Sequence, residues 1–262
     1  AGHDGQGHFS EMGMMQQMDR SYFLGPAGND ETVKGGGYCP ANAPVKEYDI
    51  SAIDIEITLN QWLDYHPGYM YVLTENLQKA RAEEHANEEA REKEGYDPGA
   101  VSTGLQTDII QPLNIRANQG DCVIITLRNQ MKDEEVSLHI HGSSTIVKST
   151  GQPATIANPD SLVKPEESQV FEWYIRPDEQ EGAHAFHSHV GREQASLGMI
   201  GTFIVEPVGS RYLDPMTGKE TKSGWEVMIE NPNLPDFREF VIIYHEIGDE
   251  SFRPLNKSAE MI

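Results

Sequence analysis

Short runs in which apolar and polar residues alternate recur along the middle of the chain, and they constrain its fold more than any other feature. In the run that opens at Glu47, Ile53, Ile55 and Ile57 alternate with acidic side chains. Successive side chains on a strand point to opposite faces of a sheet, so this pattern predicts half-buried antiparallel strands. Similar runs occupy residues 109–116, 122–129, 136–141, 169–175, 184–189 and 199–205. About seven such strands predict an all-β fold, a Greek-key β-sandwich.

One segment departs from the strand pattern. Residues 74–95 are rich in Ala, Glu, Lys and Arg, which favour helix, and Gly95 and Pro98 supply stop signals. The apolar stripe of this segment is weak, so we predict a helical insertion on the surface of the sandwich. Just before it, His66 stands in a Pro- and Gly-containing stretch and is predicted to be a turn residue.

The two ends of the chain differ in composition from the sandwich, which we place at residues 47–207. Residues 1–46 are rich in Gly, Met and Gln and show no strand or helix periodicity, which predicts an extension. Residues 208–262 contain scattered Pro and Gly and then one apolar run, Phe240–Tyr244, with little sequence left to pair with it. We therefore interpret residues 208–262 as a linker and the first strand of a following domain.

Charge and cysteine content exclude several classes of protein. Twenty basic against 42 acidic residues give a net charge of −22, which argues against nucleic acid as a partner. No apolar run approaches the roughly 20 residues of a spanning helix, so no membrane span is predicted.

Two cysteines, Cys39 and Cys122, cannot build a Cys-x-x-Cys metal motif, and their pairing is left open. The N-terminal Ala1 without a preceding Met fits signal-peptide removal, which predicts a secreted, periplasmic or extracellular protein.

Four of the ten histidines form two His-x-His pairs, His139/His141 and His187/His189. Residues i and i+2 of a strand project from the same face, so each pair directs two imidazoles to one place. General acid–base catalysis does not need four clustered histidines, whereas copper, zinc and iron sites use them. Two pairs, each at the end of a predicted strand, therefore predict a metal site. His184 is either a supporting group of that site or an ordinary histidine.

The sequence around these pairs resembles the first cupredoxin domain of multicopper oxidases. The segments that carry the resemblance are, in order, IIQPLNIRANQGDCVIITLRNQ, LHIHG, EESQVFEWYI and HAFHSHVGREQASLGMIGTFIVEP. The tail REFVIIYHEI is similar to the opening strand of the following domain in the ceruloplasmin-like branch. Residues 1–46 and the helical insertion have no counterpart. The resemblance implies that the predicted sandwich is cupredoxin-like.

The resemblance also implies that the metal is copper. His139 would bind type 2 copper, and three further ligands would bind type 3 copper, namely His141, His187 and His189. Together they would supply half of the histidines of a trinuclear cluster. In the family, a cysteine between two such histidines binds type 1 copper, and that position is Ser188 here. Type 1 copper is therefore expected outside this chain.

The function that the resemblance implies is an oxidoreductase component that takes single electrons from a substrate and reduces O2 to water by four electrons. A second chain or C-terminal fragment would carry the other cluster histidines and the type 1 copper. Acidic charge and the ceruloplasmin-like features favour a metal-ion reductant such as Mn(II) or Fe(II). Met199, with no thiolate near it, is interpreted as a core residue.

Two other functions stay open from the sequence. The chain could be a non-catalytic copper-binding or assembly subunit, a hypothesis favoured by the missing type 1 cysteine and by a cluster of methionines and histidines near the N-terminus, which suits Cu(I). It could also be a cupin-type metalloenzyme, which likewise begins with His-x-His. That fold would need a nearby glutamate ligand and a single later histidine, whereas a second full pair follows here.

Overall fold

A computed structural model describes residues 39–59, 65–93 and 108–245, and within residues 191–193 it describes the backbone alone. The helices are α1 (Leu77–Glu92), which follows a 3-10 turn at Thr74–Asn76, and α2 (Gly191–Ser196). In chain order the strands are β1 Val45–Thr58, β2 Tyr65–Leu73, β3 Leu113–Asn118, β4 Cys122–Asn129, β5 His139–Ile140, β6 Ile146–Val147, β7 Gln152–Pro153, β8 Ser168–Tyr174, β9 Gly182–His187, β10 Ile200–Glu206, β11 Arg211–Leu213, β12 Glu226–Asn231 and β13 Leu234–Phe240.

Two of the sheets form the sandwich. One has the strand order β2-β1-β4-β8-β6-β7 and the other the order β3-β10-β9-β5. Their facing sides share one apolar core, to which Phe171 and Trp173 of the first sheet and Phe186 and Phe203 of the second contribute. Burial of each such side chain is worth about 1.5–3 kcal/mol, so this core is the main source of stability. The predicted all-β, cupredoxin-like Greek-key sandwich is confirmed.

The expectation that the strands pair antiparallel throughout is wrong in both sheets. β1 pairs with β4 in parallel, with Val45 opposite Cys122. β3 likewise pairs with β10 in parallel, with Leu113 opposite Gly201. Each of these pairs joins strands that are not consecutive in the sequence. Alternation of side chains is the same in both kinds of pair, so the sequence pattern could not distinguish them.

Strand β1 buries both of its faces. Its even-numbered residues Ile50 and Ala52 belong to the sandwich core, whereas Ile53 and Ile55 belong to a separate apolar cluster on the outer side. Helix α1 covers that outer cluster with Ala80. The apolar face that the alternation marked therefore packs against the helix, and the core face was not recognised.

The predicted surface helix is confirmed, as Leu77–Glu92, and part of the predicted range 74–95 lies outside the described residues. Polar contacts complement its apolar side: Arg81 Nη1 donates to the Asp54 carbonyl oxygen at 2.7 Å, and the Arg91 guanidinium lies 3.9 Å from the centre of the Tyr65 ring. Across the described ranges, no helix combines the length and apolarity that crossing a membrane requires.

The turn predicted around His66 is wrong, because residues 65–73 form strand β2 and His66 is 1% exposed. β2 is an edge strand of its sheet, where the missing N–H of Pro67 need not break the ladder. Gly68 marks a close approach of two backbones, since a Cβ there would collide with the carbonyl oxygen of Leu197. Here Pro67 therefore indicates an edge strand and Gly68 a close backbone contact, and neither indicates a turn.

The pairing of the cysteines, which the sequence left open, is resolved by a disulfide between Cys39 and Cys122, the first residue of β4. The backbone N–H of Cys39 also donates to Glu172 Oε1 at 3.0 Å. Residues 39–46, predicted to belong to the extension, therefore include a segment fixed to the sandwich. The remainder of that extension, with its methionines and histidines, lies outside the described residues.

A third, antiparallel sheet of β11, β12 and β13 follows the sandwich. The apolar run predicted as a strand at Phe240–Tyr244 is misplaced: the strand is Leu234–Phe240, and residues 241–245 form none. β13 pairs with β12 across a tight hairpin, with Asn231 opposite Leu234. The partner strand was overlooked because scattered Gly and Pro surround it. The interpretation of residues 208–262 as a linker and the start of a following domain stays a prediction.

Candidate metal centre

Strand pairing brings the two histidine pairs together at one end of the second sheet. In the antiparallel pair of β5 and β9, His139 lies directly opposite His187. The contact continues beyond β5, since the N–H of His141 donates to the Ala185 carbonyl oxygen at 2.9 Å. His189 follows the end of β9. A short edge strand and a strand terminus therefore position all four residues.

The four imidazoles form one cluster. The ring centre of His139 lies 5.0 Å from that of His141, 6.0 Å from that of His187 and 4.3 Å from that of His189. The rings of His187 and His189 are stacked at 4.5 Å. The Nε2 atoms of His141 and His187 lie 2.8 Å apart. The structure thus brings together every residue that the sequence singled out as a ligand.

The cluster runs from the interior of the domain to its surface. His139 is 4% exposed and lies at the base. His187 and His189 are partly buried, and His141 is exposed at the rim. The two members of the first pair therefore have different environments, although they stand two residues apart.

Hydrogen bonds to carbonyl oxygens orient the rings from behind. Nδ1 of His187 lies 2.9 Å from the Ser188 carbonyl oxygen, which only accepts, so this nitrogen donates and Nε2 keeps its lone pair for the cluster. Nδ1 of His184 donates to the carbonyl oxygen of His141 at 2.9 Å. Of the two roles left open for His184, the structure thus favours a supporting group. Its ring also packs edge-on to Trp173, 5.7 Å away.

The donor set suits a metal of the imidazole-binding kind. One ring nitrogen each from His139, His141 and His189 lie within 4.8 Å of one another. Two ligands of a single ion with bonds of about 2 Å can be at most about 4 Å apart, so the set fits either one ion after small ring movements or more than one ion. Imidazoles bind copper, zinc and iron. No thiolate is available from this chain, because Cys39 and Cys122 are bonded to each other.

The family model described as multicopper oxidase matches residues 100–210, a range that contains all four histidines. This chain carries a multicopper oxidase domain. Curated relatives include a probable nitrite reductase-hydroxylamine oxidoreductase fusion protein of Kuenenia stuttgartiensis, 32% identical over 155 residues (56% of this chain, 15% of that protein). They also include an L-ascorbate oxidase of Cucumis sativus, 31% identical over 100 residues (37% and 16%), and an iron transport multicopper oxidase of Kluyveromyces lactis, 29% identical over 138 residues (52% and 21%).

This chain thus spans 15% to 21% of the length of those relatives. Solved structures that it resembles include a multicopper oxidase, with a TM-score of 0.41 at 17% identity over 66% of this chain and 47% of that one. Another is the laccase of Botrytis aclada, with a TM-score of 0.39 at 17% identity over 64% of this chain and 23% of that one.

Sequence reasoning missed the hydroxyl groups that lie behind the imidazoles of the multicopper oxidase domain. Ser137 Oγ accepts from the N–H of His189 at 2.8 Å, and Ser188 Oγ accepts from the N–H of Ser137 at 3.2 Å. The phenol of Tyr71 donates to the Ser137 carbonyl oxygen at 2.5 Å. The available signal was position: Ser137 stands two residues before His139, and Ser188 stands inside the second pair.

Two further buried residues lie near the site, of which sequence reasoning identified one and missed the other. Met199 is buried, as predicted, and its carbonyl oxygen accepts from the N–H of Ser188 at 3.3 Å. Gln194 of α2 drew no attention in the sequence, yet it is 1% exposed and its Nε2 donates to Glu134 Oε2 at 2.8 Å. It anchors the helix that follows the second histidine pair.

Proposed function

We propose that this domain supplies half of the histidine ligands of a trinuclear copper cluster, with His139 on type 2 copper and type 3 copper on His141, His187 and His189. The observation that carries the proposal is the convergence of two His-x-His pairs, with His139 opposite His187 and the Nε2 atoms of His141 and His187 2.8 Å apart. Copper bound there would supply one-electron redox chemistry and a place for O2 to bind.

The chain's own residues support a division of the ligands among more than one ion. One ring nitrogen each of His139, His141 and His189 lies within 4.8 Å of the others, so the set can be shared between neighbouring ions. His139 is buried and His141 exposed, so the pair reaches two depths of the cluster. The proton on His187 Nδ1 points away from the cluster, which leaves Nε2 as the donor atom.

Electron entry belongs, in this proposal, to a part of the protein beyond this chain. Both cysteines are engaged in a disulfide, so they offer no thiolate for type 1 copper. The chain also spans only 15% to 21% of its curated relatives. The type 1 copper and the other cluster histidines would come from a second chain or a C-terminal part.

The complete protein, as proposed, couples one-electron oxidation of a substrate to four-electron reduction of O2 to water. A metal-ion reductant, Fe(II) or Mn(II), is supported by the net charge of −22 and by a relative described as an iron transport multicopper oxidase. The disulfide supports a secreted, periplasmic or extracellular location, because such bonds persist in oxidising compartments.

Two alternatives have an observation of their own. A non-catalytic copper-binding or assembly subunit would need the histidine cluster but no type 1 centre, and neither cysteine of this chain offers a thiolate for one. Nitrite as the electron acceptor is raised by the relative described as a probable nitrite reductase-hydroxylamine oxidoreductase fusion protein.

Metal analysis of the native assembly tests the proposal. We expect several coppers per assembly, a near-ultraviolet band of type 3 copper and O2 consumption with Fe(II) or Mn(II). His139→Ala and His187→Ala should lower the copper content, whereas His85→Ala, on the exposed side of α1, should not. A native protein that holds only zinc, iron or manganese would contradict the proposal. A copper-containing protein that reduces nitrite but not O2 would show that nitrite is the electron acceptor. A copper-containing protein that reduces neither would favour the assembly subunit.

A further inference from the structure

A buried network of three hydroxyl groups lies directly behind the histidine cluster. It consists of Tyr71, Ser137 and Ser188, which we call the clasp, and these residues are 0%, 4% and 1% exposed. Ser137 precedes the first histidine pair and Ser188 lies within the second. Tyr71 comes from β2, in the opposite sheet of the sandwich. The clasp therefore joins three distant parts of the chain.

Each of the two serine hydroxyls accepts a hydrogen bond from the segment that carries the other serine. The N–H of His189 donates to Ser137 Oγ at 2.8 Å, and the N–H of Ser137 donates to Ser188 Oγ at 3.2 Å. Ser188 Oγ also accepts from the N–H of Val190 at 3.3 Å. Each histidine pair is thus held by a side chain that belongs to the segment of the other pair.

Tyr71 closes the network from below. Its phenol donates to the Ser137 carbonyl oxygen at 2.5 Å. Its ring lies 5.3 Å from that of Phe186, the neighbour of His187. Burial raises the pKa of Tyr71 well above its ordinary value, so the phenol keeps its proton and remains a donor.

Geometry separates this network from the imidazoles. Ser188 stands between His187 and His189, yet its hydroxyl bonds to Ser137 and Val190 on the inner side, away from the ring cluster. The clasp hydroxyls therefore bond to backbone N–H and carbonyl groups of the ligand segments. Hydrogen bonds of this kind fix where a ligand's backbone lies, and through it where the ring lies.

We propose that the clasp is a positioning element: Tyr71, Ser137 and Ser188 set the separation of the two histidine pairs before any metal binds. The inference deepens the proposed function and rests on it where copper affinity is concerned. It also has a consequence without metal, because the two pairs should lose their fixed separation when the clasp is broken.

The test uses the full chain and Cu(II) as the probe. Ser137→Ala, Ser188→Ala and Tyr71→Phe each remove clasp hydrogen bonds, and all four histidines are retained in each variant. We expect Cu(II) affinity, measured by competition with a chelator, to fall by about 10- to 100-fold in each variant. In the metal-free chain, nuclear Overhauser contacts between the rings of His139 and His187 should weaken in the same variants. Ser137→Thr retains the hydroxyl and should restore both measurements.

Two matched controls separate positioning from general stability. Ser161→Ala removes a buried hydroxyl for which the described part of the chain provides no hydrogen-bond partner. Tyr48→Phe removes a buried phenol that donates to the carbonyl oxygen of Arg116, remote from the cluster. We expect Cu(II) affinity within about threefold of the original chain in both, even where Tyr48→Phe lowers the melting temperature.

The outcomes keep the two proposals apart. If the original chain binds Cu(II) and the clasp variants bind it as tightly, the clasp inference is wrong and the proposed function stands. If binding survives His139→Ala combined with His187→Ala, the proposed function fails; in that case, or if the chain alone binds Cu(II) too weakly for a comparison, the metal-free ring contacts decide the clasp. Unchanged ring contacts in folded Ser137→Ala and Tyr71→Phe would then overturn it.

Discussion

His141 and His187 stand 46 positions apart in the chain, yet their Nε2 atoms lie 2.8 Å from each other. One nitrogen of this contact donates a hydrogen bond and the other accepts it with the lone pair that a metal would use, so metal binding must replace the contact. We expect His141→Ala or His189→Ala in the native assembly to lower type 3 copper occupancy and O2 reduction. Near-ultraviolet absorption and copper content would measure the loss.

A type 1 centre outside this chain should be unaffected by those substitutions. Its visible absorption and its ability to accept electrons from the reductant should be retained, because none of the four histidines is proposed to bind it. If His141→Ala or His189→Ala bleached the type 1 absorption and spared O2 reduction, the ligand roles proposed for these two histidines would be wrong.

The sequence predicted the gathering of the imidazoles because that depends on a local rule. Residues i and i+2 of a strand share a face, so two pairs at strand ends needed only adjacent strands to converge. The support behind them was not predictable, since it depends on contacts far apart in the chain. Tyr71, for example, lies 66 positions from Ser137, whose carbonyl oxygen it meets. The assignment of individual copper types stays a prediction.

The fold was predictable to the same extent, in its local patterns rather than its pairings. Alternation identified the sandwich and composition identified helix α1. The parallel pairing of β1 with β4 could not be read from either, because side-chain alternation does not depend on strand direction. His66 was misassigned for a related reason: Pro67 is tolerated in an edge strand, and only the sheet as a whole reveals which strand is the edge.

The isolated 262-residue chain should not couple substrate oxidation to O2 reduction. It lacks a thiolate for type 1 copper, since Cys39 and Cys122 are bonded, and it carries only one set of the proposed cluster ligands. After copper loading and removal of free copper, O2 uptake with Fe(II) or Mn(II) should equal that of the metal-free chain. Robust turnover by the pure chain would overturn the proposed need for a partner.

The Cys39–Cys122 disulfide should stabilise the fold without affecting the metal centre. It closes a separation of 83 residues, and Cys39→Ser should lower the free energy of unfolding by about 2–5 kcal/mol. Cys122 begins β4 just after the turn where Gln119 contacts Glu206, whereas His187 pairs with Ile200 at the other end of β10. Denaturant unfolding and Cu(II) titration measure the two effects, and a matching loss of copper affinity would contradict their independence.

A buried carboxylate at that remote end should make stability depend on pH. Glu206 faces Arg116, with Oε1 3.9 Å from Nε, and it shares the site with Glu239, while Glu181 adds negative charge. Burial, together with the charge of Glu239, raises the pKa of Glu206 from 4.5 to about 7. Because the folded state holds this proton more tightly than the unfolded state, its contribution is complete below about pH 4.5 and is lost as the pH rises to about 7.

Glu206→Gln should remove this dependence, because the amide resembles the protonated acid. Between about pH 5 and about pH 7.5, the free energy of unfolding of the original chain should fall by about 1–3 kcal/mol from this group alone, and the variant should lack that fall. Glu230→Gln, in an exposed pair with Arg211, is the matched control and should leave the slope unchanged. Urea unfolding at a series of pH values measures this slope for the original chain and for both variants. A variant whose slope equals that of the original chain would show that Glu206 is already ionised in the folded protein, with Arg116 outweighing the burial.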